Sequence, residues 1–167
     1  AHVASHIQNH DYFFGNFEGS IPAVHQPTPD FGFAFSVPRY FVDELSDIGL
    51  THVSLANNHT YDFALDGLLH TEAVLEAADL EWFGHPLEIN TASLTRVTNG
   101  QVSVGVIALS TLQAGVDIDT LQQQIAALKK DTDVQIAYVH WGEEYVFAPT
   151  DAQRSLAETL VAAGIDV

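Results

Sequence analysis

Leu55-Ala-Asn-Asn-His-Thr-Tyr-Asp62 is the stretch on which the reading of the chain turns. An apolar, β-branched run, Thr51 to Ala56, leads into it, and a helix-like segment from Leu65 to Ala78 follows. Two amides, an imidazole and a carboxylate are therefore crowded where a strand ends and a helix begins. Open α/β sheets place ligand chemistry there, outside the carboxyl ends of their strands. Asn16, Glu18, His140 and Glu144 are the other polar residues expected to converge on this turn.

Upstream, Tyr12 to Phe17 reads as a short buried strand. Residues two apart in a strand point the same way, so Asn16 and Glu18 share one side and Phe17 takes the other. Gly19 to Pro38 is a long, proline-bearing loop in which Phe31, Phe33 and Phe35 alternate, as in an extended piece packed on a core. Loops of this length are uncommon without function or disorder. Arg39 to Ile48 reads as a helix with Phe41, Leu45 and Ile48 on its apolar face and Gly49 as its stop. Before the loop and strand, His2, His6 and His10 recur at a spacing of four. On a helix they share a face; a polar amphipathic helix is the favoured reading over a metal patch.

Downstream, Leu68, Leu69, Val74, Leu75 and Ala78 give the next helix its apolar face. Glu81 to Phe83 is a short strand, and His85 follows at its end, as a pocket residue or an ordinary loop histidine. Asn99-Gly100 between Leu94–Val97 and Val102–Leu109 marks a hairpin. The second of those strands is apolar enough to be covered on both faces. Asp117 to Lys130 reads as a helix with lysines in its last turn, matching the helix dipole. Val134 to Val139 reads as a buried strand delivering His140-Trp-Gly-Glu-Glu-Tyr145. Thr150 to Ala163 reads as a helix, with Thr150 as N-cap and Gly164 as stop. Gly164 to Val167 looks like a strand just starting. Strands and helices in alternation predict an α/β fold: a mainly parallel, mixed sheet flanked by helices.

The totals exclude several function classes. At 167 residues the chain is read as a single domain. Five Lys and Arg stand against 22 Asp and Glu, a formal charge of −17. Nucleic-acid binding needs a basic footprint, and this balance is the reverse. There is no cysteine, so disulfides, thiolate metal sites and cysteine nucleophiles are out. No run is apolar and long enough to span a bilayer, and no signal peptide is visible. There is also no methionine, and the chain is read as an excerpt of a longer protein.

Carboxylate oxygen, amide oxygen and imidazole nitrogen at strand ends form a donor set suited to Mn²⁺, Fe or Zn²⁺. By position, Glu18, Asn58 and His140 are candidate ligands and His59 a candidate general acid. A two-metal site would activate water and neutralise phosphoryl charge, and a histidine beside it would protonate the leaving oxygen. Taken singly, each of these residues also reads as an ordinary hydrogen-bonding group. No Gly-x-Ser-x-Gly elbow and no phosphate-cradling glycine loop is present.

Gly15-Asn-Phe-Glu18, Ser54 to Asp62 with Gly67-Leu and Thr71, and His140 to Tyr145 follow one another at a spacing that covers nearly the whole chain. In this it resembles the CapA family of bacterial poly-γ-glutamate capsule synthesis, which is related to the calcineurin-like metallophosphoesterases. The resemblance implies part of a metallophosphatase-like α/β/β/α sandwich, with a site holding two divalent metals in the full-length protein. It implies Asn58 and His140 as ligands, His59 as the acid, and Glu18 where the bridging carboxylate is usually Asp. Asn16, Asn57, Asp62, His85 and Glu144 would brace the ligands or line the pocket. Ala64 stands where the family often has Gly. A Gly-Asp strand end upstream and a paired-histidine segment downstream are expected outside this chain, which by itself would then lack ligands. A small-molecule or polymer substrate, phosphorylated or not, a membrane-bound synthesis complex and a cell-envelope location are further implications. A non-catalytic, polymer-handling component that keeps the fold is the alternative.

Overall fold

The computed structural model describes residues 10–27 and 32–167. The chain divides into two compact units, Ala1–Trp82 and Phe83–Val167. The histidine-spaced run therefore lies outside the described residues except for His10, and Phe31 lies outside them too.

The first unit is built on β1 (Phe14–Asn16) and β2 (His52–Ser54), which run parallel with Phe14 opposite His52 and Asn16 opposite Ser54. With β3 (Glu81–Phe83) they form a three-stranded sheet in the order β1-β2-β3. All of β2 is buried, while β1 is only half-buried and shorter than its aromatic content predicts. Two helices cover this unit's core, α1 (Tyr40–Asp47) and α2 (Ala64–Ala77). Val42 of α1 and Leu68, Val74 and Leu75 of α2 cluster with Phe17, Ile21, Val53 and Leu55. Phe41 and Leu69 were expected on those faces, yet are 43% and 52% exposed. Each is one residue from a buried neighbour, so the helix turns it about 100° away.

The start of the long loop is held to α2. Ser20 N–H donates to Phe35 O at 2.9 Å, and Val37 N–H donates to Ser20 O at 2.8 Å. Thr71 Oγ1 accepts from Ile21 N at 2.8 Å, and His70 Nδ1 donates to Ile21 O at 2.8 Å. Gly67 permits this approach, because a Cβ there would stand 2.8 Å from Ser20 Oγ. Phe33, expected on the core, is 81% exposed. Alternation assigns two faces to an extended segment, but it does not say that either face meets protein.

The second unit holds β4 (Leu94–Asn99), β5 (Val102–Ser110) and β6 (Val134–His140), in that spatial order. β4 and β5 are antiparallel, with Asn99 opposite Val102, so the turn residues are Gly100 and Gln101. Gly100 takes φ +61°, the left-handed value that a two-residue hairpin requires at its first central position. β5 and β6 are parallel, with Ser110 opposite His140. The centre of β5 is buried, as its apolar run predicts, but β6 is mostly half-buried rather than buried. Helices α3 (Ile118–Leu128) and α4 (Asp151–Ala163) supply Leu121, Ile125, Leu156 and Leu160 to a core with Ile107 and Leu109. Lys129 and Lys130 follow the last turn of α3 instead of lying in it. Thr150 and Gln153 form a reciprocal capping box at the start of α4, and Gly164 ends the helix at φ +103°. Beyond it, Asp166 N–H and Val167 N–H both donate to Gln135 O in β6.

The fold is thus α/β with helix-covered parallel and mixed pairings. The strands form two three-stranded sheets, with β2 in one and β6 in the other. Hydrophobic runs mark strands without naming the neighbours they pair with.

Candidate functional site

The turn after β2 is organised by one buried amide. Asn57 Nδ2 donates to Asn16 Oδ1 at 3.0 Å and to Phe17 O at 2.9 Å. Its Oδ1 accepts from His59 N at 3.0 Å, Thr60 N at 2.9 Å and Thr60 Oγ1 at 2.9 Å. The chain leaves a strand here and has not yet begun a helix, so its backbone groups lack ladder partners; a side-chain amide supplies them. Asn57 and Thr60 are both fully buried. The amide's polar atoms serve the fold, which removes Asn57 as a direct ligand and presents its neighbours Asn58 and His59, both half-buried.

His59 is held on two sides. Its Nδ1 lies 2.9 Å from Asp62 Oδ2, with the two side chains 14% and 13% exposed. A carboxylate only accepts, so Nδ1 carries the proton and Nε2 is the nitrogen available for chemistry. The same Asp62 oxygen accepts the Phe35 backbone N–H at 2.7 Å, and the Phe35 ring lies over the imidazole with centroids 4.0 Å apart. At the end of β1, Asn16 Nδ2 donates to Glu18 Oε2 at 2.9 Å. Asn16, Glu18, Asn57, His59 and Asp62 are therefore linked through named hydrogen bonds within the first unit.

The other named residues belong to the second unit. His85 Nδ1 accepts Leu87 N–H at 3.3 Å, which ties the ring to its own turn. Burial pushes its pKa below the usual 6.5, against the pull of Glu88. The crevice beside it measures only about 10 Å³, roughly one water. His140 is the last residue of β6, and its carbonyl accepts Thr111 N–H at 3.1 Å. Glu144 is exposed in the turn beyond. Trp141 packs on the second core and walls a cavity of about 270 Å³ with Leu112, Leu156, Thr150 and Gln153.

Among the described residues no three His, Asp or Glu side chains gather closely enough to hold a metal ion. The turn and β1 offer Glu18 and Asn58, short of the three protein ligands a catalytic zinc takes. The residues in place do not by themselves fit a metal site.

Two contributors were not legible as site residues. Thr60 sits three residues after Asn57, a spacing at which an Asn side chain caps a turn, so a local signal existed. Phe35 had none: it meets Asp62 across 27 residues of chain.

A family model described as bacterial capsule synthesis protein PGA_cap matches residues 1–167. The chain belongs to that family. It is 27% identical over 187 aligned residues to the capsule biosynthesis protein CapA of Bacillus anthracis, covering 99% of this chain and 46% of that protein. It is 28% identical over 175 residues to the PGA biosynthesis protein CapA of Bacillus subtilis, covering 94% and 46%. The chain thus spans about half the length of these relatives. A solved phosphatase from Mycoplasma pneumoniae shares the fold at a TM-score of 0.55 and 16% identity, over 92% of this chain and 50% of that one.

Proposed function

We propose that this chain is part of a protein that builds or handles the poly-γ-glutamate capsule at the cell envelope, and that the turn from Asn57 to Asp62 is the proton-donating corner of a phosphoester-cleaving site. The observation that carries the reading is the 2.9 Å contact between His59 Nδ1 and Asp62 Oδ2. It sets the ring's orientation with Nδ1–H on Asp62. With Nε2 protonated as well, the ring is the imidazolium that serves as general acid, gives the Nε2 proton to the leaving oxygen and is left as the Nδ1–H tautomer. Asn57 holds the turn that presents the ring, and Asp62 holds the ring within the turn. In the full-length protein, Glu18 and Asn58 of the first unit and, separately, His140 of the second are each proposed as a donor to divalent metal, and the proposed substrate is a small molecule or the polymer itself, carrying a phosphoester.

The second reading, a polymer-handling or complex-assembly component without turnover, is favoured by the lack of a three-ligand cluster among the described residues. One experiment separates the two. The full-length protein is assayed for divalent metal and for hydrolysis of an aryl phosphate, beside His59→Ala. The catalytic reading expects bound metal, and a fall in turnover of about 10² to 10⁴ in the variant with its metal retained. No metal and no turnover in a protein that still supports capsule formation would establish the second reading instead.

A further inference from the structure

The loop from Gly19 to Pro38 reaches the His59–Asp62 pair through one residue, Phe35. Its backbone N–H donates to Asp62 Oδ2 at 2.7 Å, so that oxygen is shared between a main-chain donor and the imidazole. Its ring lies against His59 at a centroid distance of 4.0 Å, tilted by 34°. The backbone that carries it is fixed from the other side: Ser20 N–H donates to Phe35 O at 2.9 Å, and Ser20 O accepts Val37 N–H at 2.8 Å. Ser20 is fully buried, and the neighbouring Ile21 is bonded to Thr71 and His70 of α2. A continuous set of hydrogen bonds therefore runs from α2 through Ser20 to Phe35, and on to Asp62 and His59.

We propose that Phe35 is a positioning residue for His59, acting from both its main chain and its ring. The amide fixes where Asp62 Oδ2 stands, and hence which imidazole nitrogen keeps the proton. The ring blocks one face of the imidazole to water and stops it from turning about its own bond. A carboxylate held only by the imidazole could swing with it; a second donor from a separately anchored loop removes that freedom. The loop's function in this account is to hold the acid. The inference deepens the proton-donor reading of His59 and rests on it for its catalytic consequence, but not for its structural one.

The test uses nitrogen-15 NMR of the imidazole and amide groups in this 167-residue chain, with turnover of the full-length protein beside it. In the native chain His59 is expected as a single Nδ1–H tautomer, and the Phe35 amide as slow to exchange. Phe35→Ala is expected to keep the fold by circular dichroism yet show His59 as a mixture of tautomers. Phe35→Tyr is expected to restore the single form. Asp62→Asn is expected to speed exchange of the Phe35 amide by about tenfold, reflecting the lost bond. In the full-length protein Phe35→Ala is expected to lower kcat by about tenfold to a hundredfold, up to the scale of a misplaced catalytic group, with KM and bound metal within about twofold. A native His59 tautomer in folded Phe35→Ala, or an unprotected Phe35 amide in the native chain, overturns the proposal. If Phe35→Ala does not fold, Phe35→Leu and the Asp62→Asn exchange result decide in its place. Absence of turnover with the NMR results as expected overturns the proton-donor reading alone.

Discussion

Two segments follow a strand, carry a histidine and lead to a helix, and the molecule treats them differently. The stretch from Asn57 to Asp62 folds around a buried amide that makes five hydrogen bonds. The stretch from His140 to Pro149 contains no Asn or Gln side chain to play that part. Its Tyr145 and Phe147 are 92% and 104% exposed, its backbone bonds include Thr111 N–H to His140 O and Val146 N–H to Glu143 O, and the Thr150–Gln153 capping box closes its far end. Similar polar composition at a strand end therefore does not make a similar turn. The first is a scaffold that presents a side chain. The second is an exposed loop closed by a helix cap, with Trp141 as its anchor in the core.

The largest difference in stability between the two turns is expected at Asn57. Asn57→Ala leaves the buried groups of Phe17, His59 and Thr60 without their partner and is expected to cost about 3 kcal/mol or more, since unmet buried groups add their desolvation penalties. The corresponding loss in the second segment, Thr150→Ala, removes one cap and is expected to cost about 1 kcal/mol. Urea denaturation of the two variants checks the ratio; equal losses would mean that the first turn is no more centrally held than the second.

A smaller effect of opposite sign is expected at Ala64, where the first turn passes into α2. Ala64 has φ +53°, in the left-handed region that a Cβ disfavours. Ala64→Gly removes that strain but frees the unfolded chain, and the balance is expected to be a gain of up to about 1 kcal/mol in the same urea measurement. This also gives a physical content to the departure at Ala64, since glycine is the residue that adopts such a backbone without strain.

The smallest effect is a difference in slope with pH. Burial lowers the pKa of His52 in the first unit and of His85 in the second below the ordinary 6.5, with Glu81 and Glu88 acting in the other direction. The folded state then holds both rings neutral while the unfolded chain binds protons. Their contribution to stability is complete above pH 6.5 and is lost as pH falls through that value towards the folded pKa values. Replacing either histidine by Phe is expected to flatten the fall in stability below pH 6.5. The His52 variant is the more informative, because its ring stacks on Phe14 across the β1–β2 pair, at a centroid distance of 4.5 Å.

Much of the architecture was readable because it depends on local chemistry. The Asn99-Gly100 hairpin, the apolar centre of β5, Thr150 as a cap and Gly164 as a stop all express the conformational preferences of the residues concerned. The α/β class follows from the alternation of elements. The helix faces were legible only to within one residue: the same rotation buries Leu68 and exposes Leu69. Asn57 to Asp62 could be picked out as a polar turn, because its residues are neighbours in the chain.

What the sequence determined by itself is the set of segments, their turns and caps, and the crowding of amide, imidazole and carboxylate after β2. The tertiary structure alone decided that the strands divide between two sheets, and that Phe33 faces solvent while Phe35 reaches His59. It also decided that the amide of Asn57 turns inward to Asn16 and Phe17. The reason is range. Backbone preference and side-chain periodicity act over a few residues and are written in order along the chain. Strand partners, and the meeting of Phe35 with Asp62, are settled by which buried surfaces and hydrogen-bonding groups can satisfy one another across long separations, and local sequence holds no record of that choice.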